Sequence, residues 1–194
     1  MHPTAKQGFR RMLPGALLPH DGKSMRVLDV GGADVWGTVH DTLRSEYMIG
    51  SIDVLDIAPG KGVTIVADAT DSETWNELRK ITLPGSTKAA LYDLVISTET
   101  FEHVRDWGGI VRGVASVLRP GGWFVGTCAG IGRRPHGARG EHHPPEGEWY
   151  ENIGTDDLVA ALMQSFRGDV VVEYSRLPEF PTTNDLYWRA QVAQ

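Results

Sequence analysis

Cysteine is all but missing. Cys128 is the single thiol, so no internal disulfide can form, and a reducing, cytoplasmic setting is the expectation. Long hydrophobic runs are missing too: nothing approaches the ~20 apolar residues of a membrane span. The N-terminal residues show no basic stretch leading into an apolar core and a cleavage site, so no signal peptide is expected. Positive charge is in deficit. With 19 Lys and Arg against 25 Asp and Glu the net charge is −6, which disfavours nucleic acid and anionic membrane as partners while leaving room for a local basic patch. Internal repeats, low-complexity tracts and a dividing linker are absent. The 194 residues therefore read as one domain, 1–194, long enough to bury about 70% of its unfolded surface.

What is present is organised around Met25-Arg-Val-Leu-Asp-Val-Gly-Gly-Ala-Asp-Val-Trp-Gly37. An apolar run interrupted by Asp29 and followed at once by Gly31 and Gly32 reads as a buried strand turning sharply beneath a ligand. Glycine suits that turn because a side chain would hold the ligand off and would resist positive φ.

The rest of the chain alternates strands with helices. Residues 1–24 read as a lead-in, with an amphipathic helix over Ala5–Leu13 and turn formers around Pro19 and Gly22. Strands are predicted at Met25–Val30, within Tyr47–Ile57, and at Val63–Ala67, Leu91–Ser97, Trp123–Cys128, Val170–Tyr174 and Asp185–Val192. Helices are predicted over Thr38–Glu46, from a cap at Asp71 or Ser72 to Lys80, over Asp106–Leu118, and from a cap at Thr155 or Asp156 to Phe166. Near-continuous apolar strands alternating with helices imply an α/β fold: a doubly wound, parallel sheet covered on both faces. Residues 129–154 break the rhythm. This Gly- and Pro-rich stretch is longer than structureless connections usually are, and it reads as a substrate lid.

Ligands of doubly wound sheets bind beyond the carboxyl ends of the strands. Those ends supply Asp29, Gly31, Gly32 and Ala33 from the first strand, and Asp56 and Ile57 from the second. The third supplies Asp68 and Ala69, the fourth Ser97, Thr98 and Glu99. An ionised Asp56 can accept hydrogen bonds from a ribose diol, with Asp53 as its competitor. Asp68 reads equally as a helix cap, and Trp36 as a pocket wall or a core anchor.

Val27-Leu-Asp-Val-Gly-Gly32, Asp56, Asp93-Leu-Val-Ile-Ser-Thr-Glu-Thr-Phe-Glu-His-Val104 and Leu118-Arg-Pro-Gly-Gly-Trp-Phe-Val125 resemble the class I methyltransferases that use S-adenosylmethionine. The usual Gly-x-Gly-x-Gly of that family is altered, with Ala33 and Val35 in place of two glycines; the turn resembles a branch reading Gly-Ser-Tyr-Asp-Val-Asn-Gly. The resemblance implies a Rossmann-like, mostly parallel seven-stranded sheet with its last strand antiparallel, and S-adenosylmethionine as cofactor with S-adenosylhomocysteine as product. It implies that Asp29, Gly31, Gly32 and Ala33 hold the methionine part, Asp56 the ribose, and Asp68 with Ala69 the adenine edge.

A sulfonium is already a good leaving group, so such an enzyme mainly holds the nucleophile in line, and a base is helpful rather than obligatory. His103, with Glu102 and Glu99 beside it, is the nearest candidate for proton removal, and Glu141-His142-His143 in the lid is the rival source of a base. The bland alternative for Glu102 and His103 is support of the cofactor loop or the cap of the next helix. In the lid, Arg139, His142, His143, Trp149 and Tyr150 are candidate acceptor contacts, and Arg133, Arg134 and Arg139 could receive an anionic group on the acceptor. His142 and His143, with His136 and Glu146 nearby, lack a spaced ligand pattern, so no metal is expected.

The expected reaction is methyl transfer to oxygen or nitrogen of a small molecule, such as a sugar, glycan precursor or specialised metabolite, by a monomer or homodimer. A non-catalytic binding module is the alternative that Ala33 and Val35 keep open. A nucleic-acid methyltransferase is disfavoured because Ser97-Thr-Glu-Thr100 stands where Asp-Pro-Pro-Tyr would, and a nicotinamide oxidoreductase because Gly-x-Gly-x-x-Gly is absent.

Overall fold

Strand β1 (Met25–Val30) runs through the middle of the molecule, and its alternating side chains serve two cores. The computed structural model describes residues 3–14, 25–35, 37–47, 49–82, 89–177 and 180–193; Trp36 and the Pro19–Gly22 turn expected in the lead-in lie outside the described residues. The chain runs α1 (Pro3–Met12), β1, α2 (His40–Glu46), β2 (Ile49–Asp56), β3 (Ile65–Val66), α3 (Ser72–Lys80) and β4 (Tyr92–Thr98). A 3-10 turn (Phe101–His103) leads to α4 (Trp107–Val117), β5 (Leu118–Ala129), α5 (Thr155–Ser165), β6 (Val170–Leu177) and β7 (Phe180–Gln191).

The sheet has seven strands in the order β3-β2-β1-β4-β5-β7-β6. Strands β1 to β5 pair in parallel, and β7 is antiparallel to both of its neighbours. Strand order reverses at β1, where β2 lies on one side and β4 on the other. The expected doubly wound, mostly parallel sheet is the fold observed.

Period-two alternation assigns the faces. Val27, Leu94, Ile96 and Val125 join Phe9 and Met12 of α1 and Leu43 of α2. Leu28, Val30, Val95 and Phe124 join Trp75 of α3, Ile110 and Val114 of α4, and Leu158 and Leu162 of α5. Asp71 is the residue that caps α3, accepting from Glu73 N at 2.9 Å, and Asp106 caps α4, accepting from Gly109 N at 2.8 Å.

Several boundaries differ from expectation, β3 among them, which is two residues long where Val63–Ala67 was predicted. Helix α4 ends at Val117 and β5 starts at Leu118, five residues before the predicted Trp123. Tyr92 pairs Leu118 while Leu94 pairs Trp123, so Arg119-Pro-Gly-Gly122 bulges out opposite Asp93. Gly121 takes φ +74°, and Asp93 accepts from Arg119 Nε at 2.6 Å and from Arg26 N at 2.8 Å. Neither Thr155 nor Asp156 caps α5: Gly154 occupies the cap position without a side-chain bond. The Ile153 bridge to Gly130 starts the helix one residue early, and Asp156 and Asp157 fall in the first turn, where the helix dipole favours them. The last two strands are also longer than predicted, because their antiparallel pairing to each other carries them past the apolar segments.

Candidate active site

The glycine turn after β1 is built without room for side chains. Gly31 has φ +71°, and a Cβ there would sit 2.3 Å from Thr100 Oγ1; one on Gly32 would sit 2.4 Å from the Asp29 carboxyl carbon. Asp29 itself is buried beneath the turn. Its Oδ2 lies 2.8 Å from His40 Nε2, whereas Oδ1 is buried with no hydrogen-bond partner. Burial holds the Asp29 carboxyl above its ordinary range, with the His40 hydrogen bond acting against that shift.

Asp56, at the end of β2, closes the turn from the other side. It accepts from Ala33 N and from Ala58 N, both at 3.2 Å. Its competitor Asp53 has other contacts. Asp53 takes the Arg26 guanidinium at 3.1 Å and the Tyr92 hydroxyl at 2.8 Å, a network between strands rather than at their rim. Ile57 is 71% exposed beside Asp56. Asp68 is exposed and folds a local turn, accepting from Thr70 N at 2.8 Å and Thr70 Oγ1 at 2.7 Å, while the Ala69 carbonyl takes Trp75 Nε1 at 2.9 Å. Thr98 is half-buried at the end of β4, and its carbonyl accepts from Thr100 Oγ1 at 3.2 Å.

A second polar cluster gathers where β4, β5 and β7 meet the 130–152 loop. Glu99 has φ +55°, the only positive value outside glycine among the described residues, and such strain concentrates at functional sites. Its backbone N–H bonds Thr127 O at 2.8 Å and its Oε1 takes the Thr127 hydroxyl at 2.7 Å. Arg133 hydrogen-bonds Asp185 and lies 3.7 Å from Glu99 Oε2. Crowding with Glu99 and, above all, burial push Asp185 up to about 6.

Glu102 is fully buried; Oε1 accepts from Ala129 N at 3.2 Å and Oε2 has no partner. Burial first, then the Glu99 charge, raise its carboxyl well above the ordinary range. His103 packs edge-on against His136 and Tyr150, with ring centroids 5.2 and 5.4 Å away, and burial takes it down to about 4. His136 is lowered by the same cause and lies 5.1 Å from the Tyr150 ring.

The loop residues divide. Tyr150 joins the cluster, and the Trp149 ring lies 4.3 Å beneath the Arg105 guanidinium. Arg139, His142 and His143 are exposed, and His143 Nε2 lies 3.4 Å from Arg134 Nη2. Sequence reasoning missed three participants: His40 on Asp29, the Arg133–Asp185–Glu99 network, and His136 as the loop histidine that turns inward. Asp185 carried a weak signal, an acid directly before the aromatic run Leu186-Tyr-Trp188; His40 and His136 carried none that their neighbours lacked.

A buried acid, a glycine turn closed to side chains and a second acid stand at the point of strand reversal, where doubly wound α/β proteins bind their ligands. The family model described as a methyltransferase domain matches residues 5–169. The chain belongs to that family and has the class I methyltransferase architecture.

Compared with the curated proteins, the sequence matches none. Among solved structures it is similar to phosphoethanolamine N-methyltransferase 2 of Haemonchus contortus in complex with phosphomonomethylethanolamine and S-adenosylhomocysteine. That match has a TM-score of 0.62 and 14% identity over 97% of this chain and 53% of the other; the chain spans about half the length of that relative. An S-adenosylmethionine-dependent methyltransferase of Mesorhizobium loti matches with a TM-score of 0.59 and 18% identity, covering 95% of this chain and 96% of the other. The N-methyltransferase NodS of Bradyrhizobium japonicum, in complex with S-adenosylhomocysteine, gives 0.59 and 14% over 100% and 89%. No helix among the described residues is long and apolar enough to cross a membrane.

Proposed function

We propose that this methyltransferase domain uses S-adenosylmethionine to methylate an oxygen or nitrogen of a small-molecule acceptor. The observation that carries the reading is the cradle: Gly31 and Gly32 have no space for a Cβ, and the buried Asp29 beneath them keeps one carboxylate oxygen unpartnered. A cationic amino group is the partner such an oxygen lacks, and the methionine part of the cofactor carries one. Asp56 has lone pairs to spare beyond its bonds to Ala33 N and Ala58 N, and these would accept from ribose hydroxyls.

When bound, the cofactor supplies a sulfonium-activated methyl group. The chain's own work is then to orient the acceptor and exclude water, which positioning alone makes worth about 7–11 kcal/mol at best. Glu99, His103, His136 and Tyr150 form the polar wall that the 130–152 loop closes. His103, which burial takes down to about 4, is neutral near pH 7. The N-methyltransferases among the similar structures support a nitrogen acceptor, and the net charge of −6 disfavours nucleic acid. Buried Cys128 suits a reducing, cytoplasmic setting.

Calorimetric titration with S-adenosylmethionine and S-adenosylhomocysteine tests the cradle. Binding is expected on the order of micromolar, weakened at least about tenfold, the effect of ~1.4 kcal/mol, in Asp56→Ala. Absence of binding at millimolar ligand removes the proposal. Binding without S-adenosylhomocysteine release across a panel of small amines, phenols and sugars favours the non-catalytic module instead.

A further inference from the structure

The second cluster brings His136 and Glu102 face to face. The His136 Nδ1 lies 3.3 Å from the Arg134 carbonyl oxygen. A carbonyl can only accept, so Nδ1 carries the proton and Nε2 presents a bare lone pair. That lone pair lies 3.9 Å from Glu102 Oε1. Glu102 is fully buried, and its second oxygen has no partner at all. His103 Nδ1 is likewise buried and makes no hydrogen bond, standing 3.4 Å from Glu148 Oε1 without the geometry for one. The nearest cation, the Arg133 guanidinium, is engaged by Asp185 and Glu99.

We propose that Glu102, His103 and His136 bind one divalent first-row transition-metal ion. One ligating atom from each residue lies within 4.8 Å of those of the other two. Ligands around an ion at about 2.0–2.2 Å sit roughly 3.3 Å apart, a contraction that side-chain rotation of His136 in its loop can supply. Two imidazoles with one carboxylate favour zinc over the harder magnesium, calcium and manganese. Three protein ligands leave a coordination position open, as sites that act on a bound water or substrate do and purely structural sites do not. The Nδ1 bond to the Arg134 carbonyl is the outer contact that metal-binding histidines commonly make.

The sequence pattern concealed this site. Adjacent His142 and His143 drew attention to the loop, yet both are exposed and outside the cluster. The ligands come instead from the turn after β4 and from a loop residue far along the chain, so no local spacing reports them. The ion would bridge those two segments.

The test uses the 194-residue chain, chelator-treated and titrated with zinc, followed by calorimetry and by metal content after desalting. One equivalent is expected to bind the wild type. Affinity is expected to fall at least about tenfold in His136→Ala and in the isosteric Glu102→Gln, since losing even a supporting outer contact costs that much. The double variant His142→Ala/His143→Ala is expected to bind as the wild type does. Circular dichroism and thermal unfolding verify that each variant is folded. No saturable binding by the wild type, or equal affinity in a folded His136→Ala, overturns the proposal. Neither readout depends on cofactor binding or turnover, so the methyltransfer reading and this site can fail separately.

Discussion

Gly31 is held in place by what surrounds it. Positive φ alone makes alanine cost about 1–2 kcal/mol there, and Thr100 occupies the space a methyl group would need. Gly31→Ala is therefore expected to lose about 2 kcal/mol or more of stability in urea denaturation and to abolish cofactor binding. Thr100→Ala should recover the steric share but not the backbone share, appearing as a coupling of about 1 kcal/mol in a double-mutant cycle. Additivity of the two changes would mean that Thr100 does not fill the cradle. At this scale the turn was readable: Asp29, Gly31, Gly32, Ala33 and Asp56 stand together there because strand ends and glycines mark such turns locally. The second cluster was legible only in part: Glu99, Glu102, His103 and Tyr150 stood out as candidates, while His136 and Asp185 did not. His136, Arg133 and Asp185 meet Glu99 and Glu102 only through long-range pairing of β5 with β7, which periodicity within a segment does not encode.

Helices α3 and α4 pack through a glycine. The Trp75 indole occupies the space where a Gly113 Cβ would lie, with ring atoms as near as 2.1 Å. Gly113→Ala should cost about 1–3 kcal/mol by overpacking although alanine favours the helix itself by up to ~1 kcal/mol. Restoring stability by adding Trp75→Phe would locate the strain at this contact, whereas a stable single variant would refute it. Helix and strand existence was legible because burial imposes period and because Asp71 and Asp106 are good caps. Boundaries were less so. The bulge at Arg119-Pro-Gly-Gly122 reads as a stop in sequence, yet Asp93 holds it in the sheet through Arg119, and a two-residue strand such as β3 offers too little pattern to delimit.

Across the whole molecule, Asp185 joins β7 to the 130–152 loop and to the turn after β4. Its folded carboxyl keeps a proton up to about pH 6, whereas an unfolded one releases it near pH 4. Between those values the folded state holds more protons, so this group's contribution to stability is lost as pH rises and becomes flat above the window. Asp185→Asn should flatten that slope: relative to wild type it should gain stability from pH 4 to pH 7, as measured by urea midpoints at several pH values. A gap between the two proteins that is constant over that range would show that Asp185 titrates normally.

The position of β7 between β5 and β6 has a consequence for biosynthesis. Synthesis proceeds from the N-terminus, so β1 to β5 can assemble as a parallel sheet while residues 180–191 are still within or near the ribosome. Until then the free flank of β5 exposes unpaired amides and carbonyls beside the apolar residues that Trp188 will cover. Such an edge invites pairing with another nascent chain. The interval between completion of β5 and arrival of β7 is thus the period in which this protein most needs a chaperone.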